Sequence, residues 1–100
     1  MRLSTTQTEV ILSCVRAQFG ADAQVMLFGS RLDDTARGGD VDLLVTTANE
    51  PTVRQRALAT MALEAALNLP VDIVAQQRGV PEGAFAQIAR AKAQLLEVAA

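Results

Sequence analysis

Asp40-Val41-Asp42-Leu43-Leu44-Val45 is an apolar run interrupted by two aspartates, and its reading decides the fold. It is short, rich in branched aliphatics and followed by the breaker-rich Thr46-Thr47-Ala48-Asn49 and by Pro51, which marks a buried strand ending before a helix. Upstream, Gln24-Val25-Met26-Leu27-Phe28 is a second short apolar run, closed by Gly29-Ser30, and reads as an earlier strand. A polar connection, Arg31 to Gly39, joins the two. Downstream, residues from about 51 to 67 predict a helix with Val53, Ala57, Met61 and Ala65 on its buried stripe and Leu58 and Ala62 beside it. Pro70 stops that helix, and Val71-Asp72-Ile73-Val74-Ala75 reads as a third strand.

At the N-terminal end, Ser4 or Thr5 caps a first helix, with Gln7 placed as in a capping box. Val10, Ile11, Cys14 and Val15 form its stripe and Gly20 ends it. After the turn Arg78-Gly79-Val80-Pro81, a last helix is expected to place Phe85, Ile88, Ala89, Leu95 and Leu96 at helical spacing. The order α-β-β-α-β-α implies an α/β (α+β) layer arrangement. The first two strands, joined by nine residues, are expected to pair antiparallel. The second and third, joined through a helix, should be parallel with a right-handed crossover. The result is a small mixed β-sheet of order 1-2-3 with helices packed on it. A short helical turn beginning at Ser30 is also expected, because Ser is a good cap.

Aspartate is depleted in strands, and burying a carboxylate without a partner is costly, yet Asp40, Asp42 and Asp72 all sit at or inside apolar strand segments. Residues two apart on a strand share a face, so Asp40 and Asp42 project together, with Cα atoms roughly 6.6 Å apart. Parallel pairing brings Asp72 beside them, so the three carboxylates are expected to converge. Such like charges repel unless a cation sits among them. With oxygen ligands alone that cation is Mg²⁺ or Mn²⁺, shared with substrate phosphates. Antiparallel pairing also returns Gly29-Ser30 to the neighbourhood of Asp40, where a glycine lets backbone amides approach a phosphate. Each signal has a plainer reading: Gly-Ser after a strand is ordinary turn chemistry, and a lone Asp-x-Asp is a solvated edge. Their ordered combination is what points to a nucleotide site. Asp33 and Asp34 lie in a polar loop and read as solvated.

Composition narrows the chemistry further. The 100 residues are 50% hydrophobic and 20% charged, a globular composition, and hold no repeat or linker. There is no histidine and one cysteine, Cys14, which reads as a small buried helix residue. His/Cys zinc sites and Ser-His-Asp or Cys-His nucleophilic catalysis are therefore excluded. A net charge of −2 and three aromatic residues disfavour direct nucleic-acid binding. No apolar stretch is long enough to span a membrane, and the polar N-terminus does not resemble a secretory signal, so a cytoplasmic protein without membrane contact is expected.

Gly29-Ser30, nine intervening residues, Asp40-Val41-Asp42-Leu43 and Val71-Asp72-Ile73 resemble the signature of the DNA polymerase β-like nucleotidyltransferase superfamily, and best of all its small branch, the minimal nucleotidyltransferases. The resemblance covers the whole chain in element order, so residues 1–100 are expected to form one minimal nucleotidyltransferase domain. It implies that Asp40 and Asp42 bind two catalytic metals, and that Asp72 joins one of them and helps activate the acceptor hydroxyl. Gly29 and Ser30 would hold the triphosphate of ATP. Arg31 matches the Gly-Ser-Arg form of the branch and would contact phosphate. The branch usually follows this closely with an Arg-Gly pair, whereas here Arg37-Gly38 arrives late, which ranks Arg31 above Arg37. Gly39 stands where Ser is common before the first aspartate.

The resemblance further implies a metal-dependent transfer of AMP from ATP to a hydroxyl. Larger relatives carry another domain for the second substrate, so here a partner is expected to complete the site. Members of the small branch act as antitoxins beside a helical HEPN-domain ribonuclease toxin, which they bind and AMPylate on a tyrosine. Two alternatives stay open: a catalytically silent nucleotide-binding module that neutralises its partner by binding, and a homodimeric small-molecule nucleotidyltransferase. The chain is thus expected to work in a homo- or hetero-oligomer. The last helix offers little support for a partner, since its stripe reads as core and Arg90 and Lys92 as a solvated face.

Overall fold

A computed structural model describes residues 3–28, 40–80, 83 and 94–96. The first helix, α1, runs Thr5–Phe19. Ser4 is its N-cap: its side chain accepts from the Gln7 N–H at 3.1 Å, and the Gln7 side chain accepts from the Ser4 N–H at 2.9 Å. This reciprocal box satisfies two amide donors that the first turn leaves unpaired. Gly20 ends the helix at φ 110°, a conformation a side chain would strain, and donates its N–H to the Arg16 carbonyl at 3.0 Å. The expected stripe is present, with Ile11 and Val15 fully buried and Val10 and Cys14 packed against the core. Leu12 and Phe19 join it.

Three strands follow the expected plan: β1 (Gln24–Phe28), β2 (Val41–Thr47) and β3 (Val71–Gln77). β1 pairs antiparallel with β2, and β2 pairs parallel with β3, giving the mixed order 1-2-3. β2 and β3 each run two residues further than their apolar segments, because the polar residues at their ends stay on the ladder. Thr47 Oγ1 donates to the Asn49 and Gln76 carbonyls, and the Arg78 N–H donates to the Thr47 carbonyl at 2.7 Å.

A fourth strand, β4 (Gln94–Leu95), adds antiparallel to the free edge of β1, opposite Met26 and Leu27. This corrects the assignment of Leu95 and Leu96 to a helical stripe. Leu95 is 40% exposed and Leu96 only 3%, the alternation of a strand, and the Leu96 N–H donates to the Val25 carbonyl at 2.9 Å. The open ladder of β1 offers these residues backbone hydrogen bonds that outweigh a local helical preference. Phe85, Ile88 and Ala89 of that expected helix lie outside the described residues, as do Arg90, Lys92 and the turn expected at Ser30.

The second helix, α2 (Val53–Leu67), starts two residues later than expected. Thr52 and Gln55 form a second capping box, so Pro51 precedes the cap instead of opening the helix. Its buried face also differs from expectation. Ala59 and Leu63 are fully buried, whereas Val53 is 75% and Met61 67% exposed, and Leu58, Ala57, Ala62 and Ala65 are not among its fully buried residues either. The two stripes are two residues out of phase, about 200° apart around the helix. α2 is apolar on nearly every side, so periodicity defines no unique face, and two polar anchors decide it. Gln55 Nε2 donates to the Gln18 carbonyl at 3.0 Å, tying α2 to the end of α1. The Glu64 carboxylate accepts from the Val71 N–H at 3.0 Å, tying it to the start of β3.

The core lies between the helices and one face of the sheet. Ile11, Val15, Val25, Leu27, Val41, Leu43, Val45, Ala59, Leu63, Val71 and Ile73 belong to one buried cluster. Alternation along the strands sends Asp42 and Asp72 to the opposite face. No helix among the described residues is long and apolar enough to cross a membrane.

Candidate active site

The register fixes where the aspartates stand. Asp42 and Asp72 are direct partners across the parallel ladder, flanked by the pairs Val41 with Val71 and Leu43 with Ile73. In-register neighbours on adjacent strands share a face, with backbones about 4.8 Å apart. The Val41 N–H donates to the Pro70 carbonyl at 2.9 Å and locks the pairing at its first step. On the other side of β2, Phe28 is the antiparallel partner of Asp42. One line across the sheet therefore reads Phe28, Asp42, Asp72. Asp40 precedes β2 by one residue and is exposed, as is Asp72, while Asp42 is half-buried.

The sequence-derived Gly29, Ser30 and Arg31 lie outside the described residues, as does Arg37. What is fixed is their point of departure: β1 delivers the chain to them at Phe28, directly beside Asp42. The antiparallel return expected from sequence thus holds up to the last residue before the Gly-Ser pair.

Electrostatics tie the three acids together. Asp42 has its carboxyl pushed above the ordinary value of 3.8, first by burial and then by the charges of Asp72 and Asp40. Their mutual repulsion is a cost of the metal-free fold. Among the described residues, no three acidic, His or Cys side chains are already gathered as a closed metal cage. The carboxylates stand as neighbours on two strands, close enough to feel each other, and a shared cation would draw them together. An all-oxygen donor set of concentrated negative charge suits Mg²⁺ or Mn²⁺.

This repulsion has a measurable sign. A carboxyl whose pKa is raised on folding stabilises the fold least when ionised: stability is retained below the unfolded-state value and lost as pH rises through the folded-state value. Metal-free Asp42→Asn is therefore expected to melt above the wild type at neutral pH. The gap should narrow as pH falls into the acid range and the wild-type carboxyl takes up its proton. Thermal melts across that range check it, and a lower melting point for the variant at pH 7 contradicts it.

One contributor was missed in the sequence. Glu64 looks like any solvated helix acid, but its carboxylate holds the Val71 N–H, one residue before Asp72. It fixes the start of β3 against α2 and so positions the third aspartate. Only its place three residues before the helix end and seven before the strand could have suggested this.

Comparisons with known proteins agree with this fold. The sequence pattern of the family described as "Polymerase beta, Nucleotidyltransferase" matches residues 20–98, which include all three aspartates and Gly29-Ser30. Among solved structures, the fold is similar to a chain from the complex of tri-AMPylated Shewanella oneidensis HEPN toxin with MNT antitoxin. That match has a TM-score of 0.72 at 20% identity, and covers 97% of this chain and 74% of the other. It is equally similar to a chain from a mutant of the toxin–antitoxin complex MntA–HpeT, with a TM-score of 0.73 at 20% identity, covering 97% of this chain and 75% of that one. That mutant carries two Asp→Glu changes spaced two residues apart. The search of curated proteins gave no match.

Proposed function

Because the chain belongs to the polymerase beta nucleotidyltransferase family, we propose that it transfers AMP from ATP to a side-chain hydroxyl, a tyrosine, of a helical HEPN-type ribonuclease partner and thereby acts as that partner's antitoxin. The observation that carries this reading is the Asp42–Asp72 pair, with Asp40 two residues away and the end of β1 alongside. The similar folds support the partner: one comes from a complex whose HEPN toxin is tri-AMPylated. The other comes from a toxin–antitoxin complex mutated at two aspartates with the spacing of Asp40 and Asp42.

In this reading Asp40, Asp42 and Asp72 hold Mg²⁺ or Mn²⁺. A divalent ion bound there supplies charge neutralisation for the triphosphate and a lowered pKa for the acceptor hydroxyl. The backbone amides of Gly29 and Ser30 and the Ser30 hydroxyl grip the triphosphate, and Arg31 adds a positive charge to it. The acceptor oxygen attacks the α-phosphorus, forming an O–P bond as the bond from that phosphorus to pyrophosphate breaks. The hydroxyl proton passes to the Asp72 carboxylate and on to water, and pyrophosphate leaves with the electron pair of the broken bond. Asp72 suits the proton-accepting role because it is exposed, whereas Asp42 is half-buried between β1 and β3.

The reading makes nucleotide binding depend on metal. ATP with Mg²⁺ should raise the melting temperature, through a stabilisation of about 2.7 kcal/mol at a hundredfold excess over Kd, and ATP with EDTA should leave it near the free value. Equal shifts in both conditions contradict a metal-bridged triphosphate. The activity itself is tested by incubating the chain with its HEPN-type partner and ATP labelled in the α-phosphate. Label is expected on the partner only when the chain, ATP and Mg²⁺ are all present. A protein that protects against its partner while transferring no label is a silent binding module, and the enzymatic reading then fails.

A further inference from the structure

The outward face of α2 carries exposed apolar residues that the candidate site does not use. Val53 and Met61, 75% and 67% exposed, stand on it with Ala57, and Leu58 is exposed beside them. Isolated exposed apolar residues are ordinary, but several on one helix face mark a surface that meets something. This face forms one wall of a groove of about 460 Å³, whose other wall is β3. Val53, Arg56, Ala57 and Met61 line it from the helix, and Ile73 and Asp72 from the strand.

Asp72 thus belongs to two features at once: it pairs with Asp42 in the candidate active site, and, on the edge strand β3, it borders the groove beside α2. Chain seated in the groove lies against the same residue that faces the acceptor hydroxyl. Among the described residues, three further depressions, between the α1–β1 turn and β4, at the start of α2 beside Ala75, and at the far end of β3, contain none of the three aspartates.

We propose that this α2–β3 groove is the docking surface for the acceptor protein, and that the hydroxyl-bearing segment enters the site along it, past Met61 and Val53 to Asp72. The assignment rests on the transferase reading above. Its occupant is a partner segment that places apolar side chains on Val53, Ala57 and Met61 and an acidic side chain against Arg56, the one charged residue contributed by the helix wall. Apolar contact supplies affinity, and the charge pair fixes which way the segment runs. ATP approaches from the β1 side, where the chain leaves Phe28 for Gly29-Ser30. The two substrates then meet across the Asp42–Asp72 line from opposite strands.

The test uses the full chain with its HEPN-type partner, ATP and Mg²⁺, comparing the wild type, the double variant Val53→Asp/Met61→Asp, and Glu9→Lys on the exposed side of α1 as control. The double variant changes two largely exposed residues, so its own melting temperature and its shift with ATP and Mg²⁺ should match the wild type. Its KM for the partner is expected to rise roughly tenfold or more, while Glu9→Lys behaves as wild type. A wild-type partner KM in the double variant overturns the groove and leaves the transferase reading standing. No transfer by the wild type overturns that reading, and the groove assignment with it.

Discussion

Asp42→Asn is expected to lower AMP transfer by roughly 10³-fold or more, with the chain still folded and, without metal, melting no lower than wild type. The two halves of this expectation come from one fact. Asp42 sits between Phe28 on β1 and Asp72 on β3, at the middle of the line across which the proposed transfer takes place. Its charge is unfavourable to the empty fold, since burial and the charges of Asp72 and Asp40 all push its carboxyl toward the neutral form. Asparagine keeps the shape and removes the charge, so the fold gains while the capacity to hold a divalent ion falls. A residue that serves structure shows the reverse pattern. Loss of stability on substitution, or transfer within a few-fold of wild type, contradicts the assignment.

Leu63→Ala is expected to destabilise the chain by about 2–5 kcal/mol, while Met61→Ala two positions away changes stability by no more than about 0.5 kcal/mol. Leu63 is fully buried in the cluster shared by α1, α2 and the sheet, and deleting its branched end leaves a cavity there. Met61 is 67% exposed and fills no part of the core. The pair separates the observed phase of α2 from the phase its apolar periodicity suggests, in which Met61 belongs to the buried stripe. Denaturant titration of both variants measures the difference. Equal destabilisation by the two substitutions contradicts the observed orientation of the helix and removes the groove with it.

That helix shows where sequence reasoning runs out. Aspartates inside aliphatic runs are conspicuous because they oppose both strand preference and burial, so Asp40, Asp42 and Asp72 are legible from the residues alone. Their pairing follows from topology: a helical crossover makes β2 and β3 parallel, and the shared apolar-Asp-apolar pattern sets the register that joins Asp42 to Asp72. α2 lacks such contrast. Alanine and leucine occupy almost every side of it, and its orientation is set by Gln55 reaching the Gln18 carbonyl and Glu64 reaching the Val71 N–H, contacts invisible to periodicity. Gln76 and Gln77 end the apolar signal of β3 but not its ladder. β4 is two residues long, too short to carry a pattern, and exists because β1 presents an open edge.

Group transfer is the central claim, and intact-mass measurement of the partner after incubation with this chain, ATP and Mg²⁺ tests it most directly. The predicted result is a partner heavier by about 329 Da, one AMP less water, or by multiples of it, absent with EDTA and absent with Asp42→Asn. A partner that is neutralised yet unchanged in mass contradicts it.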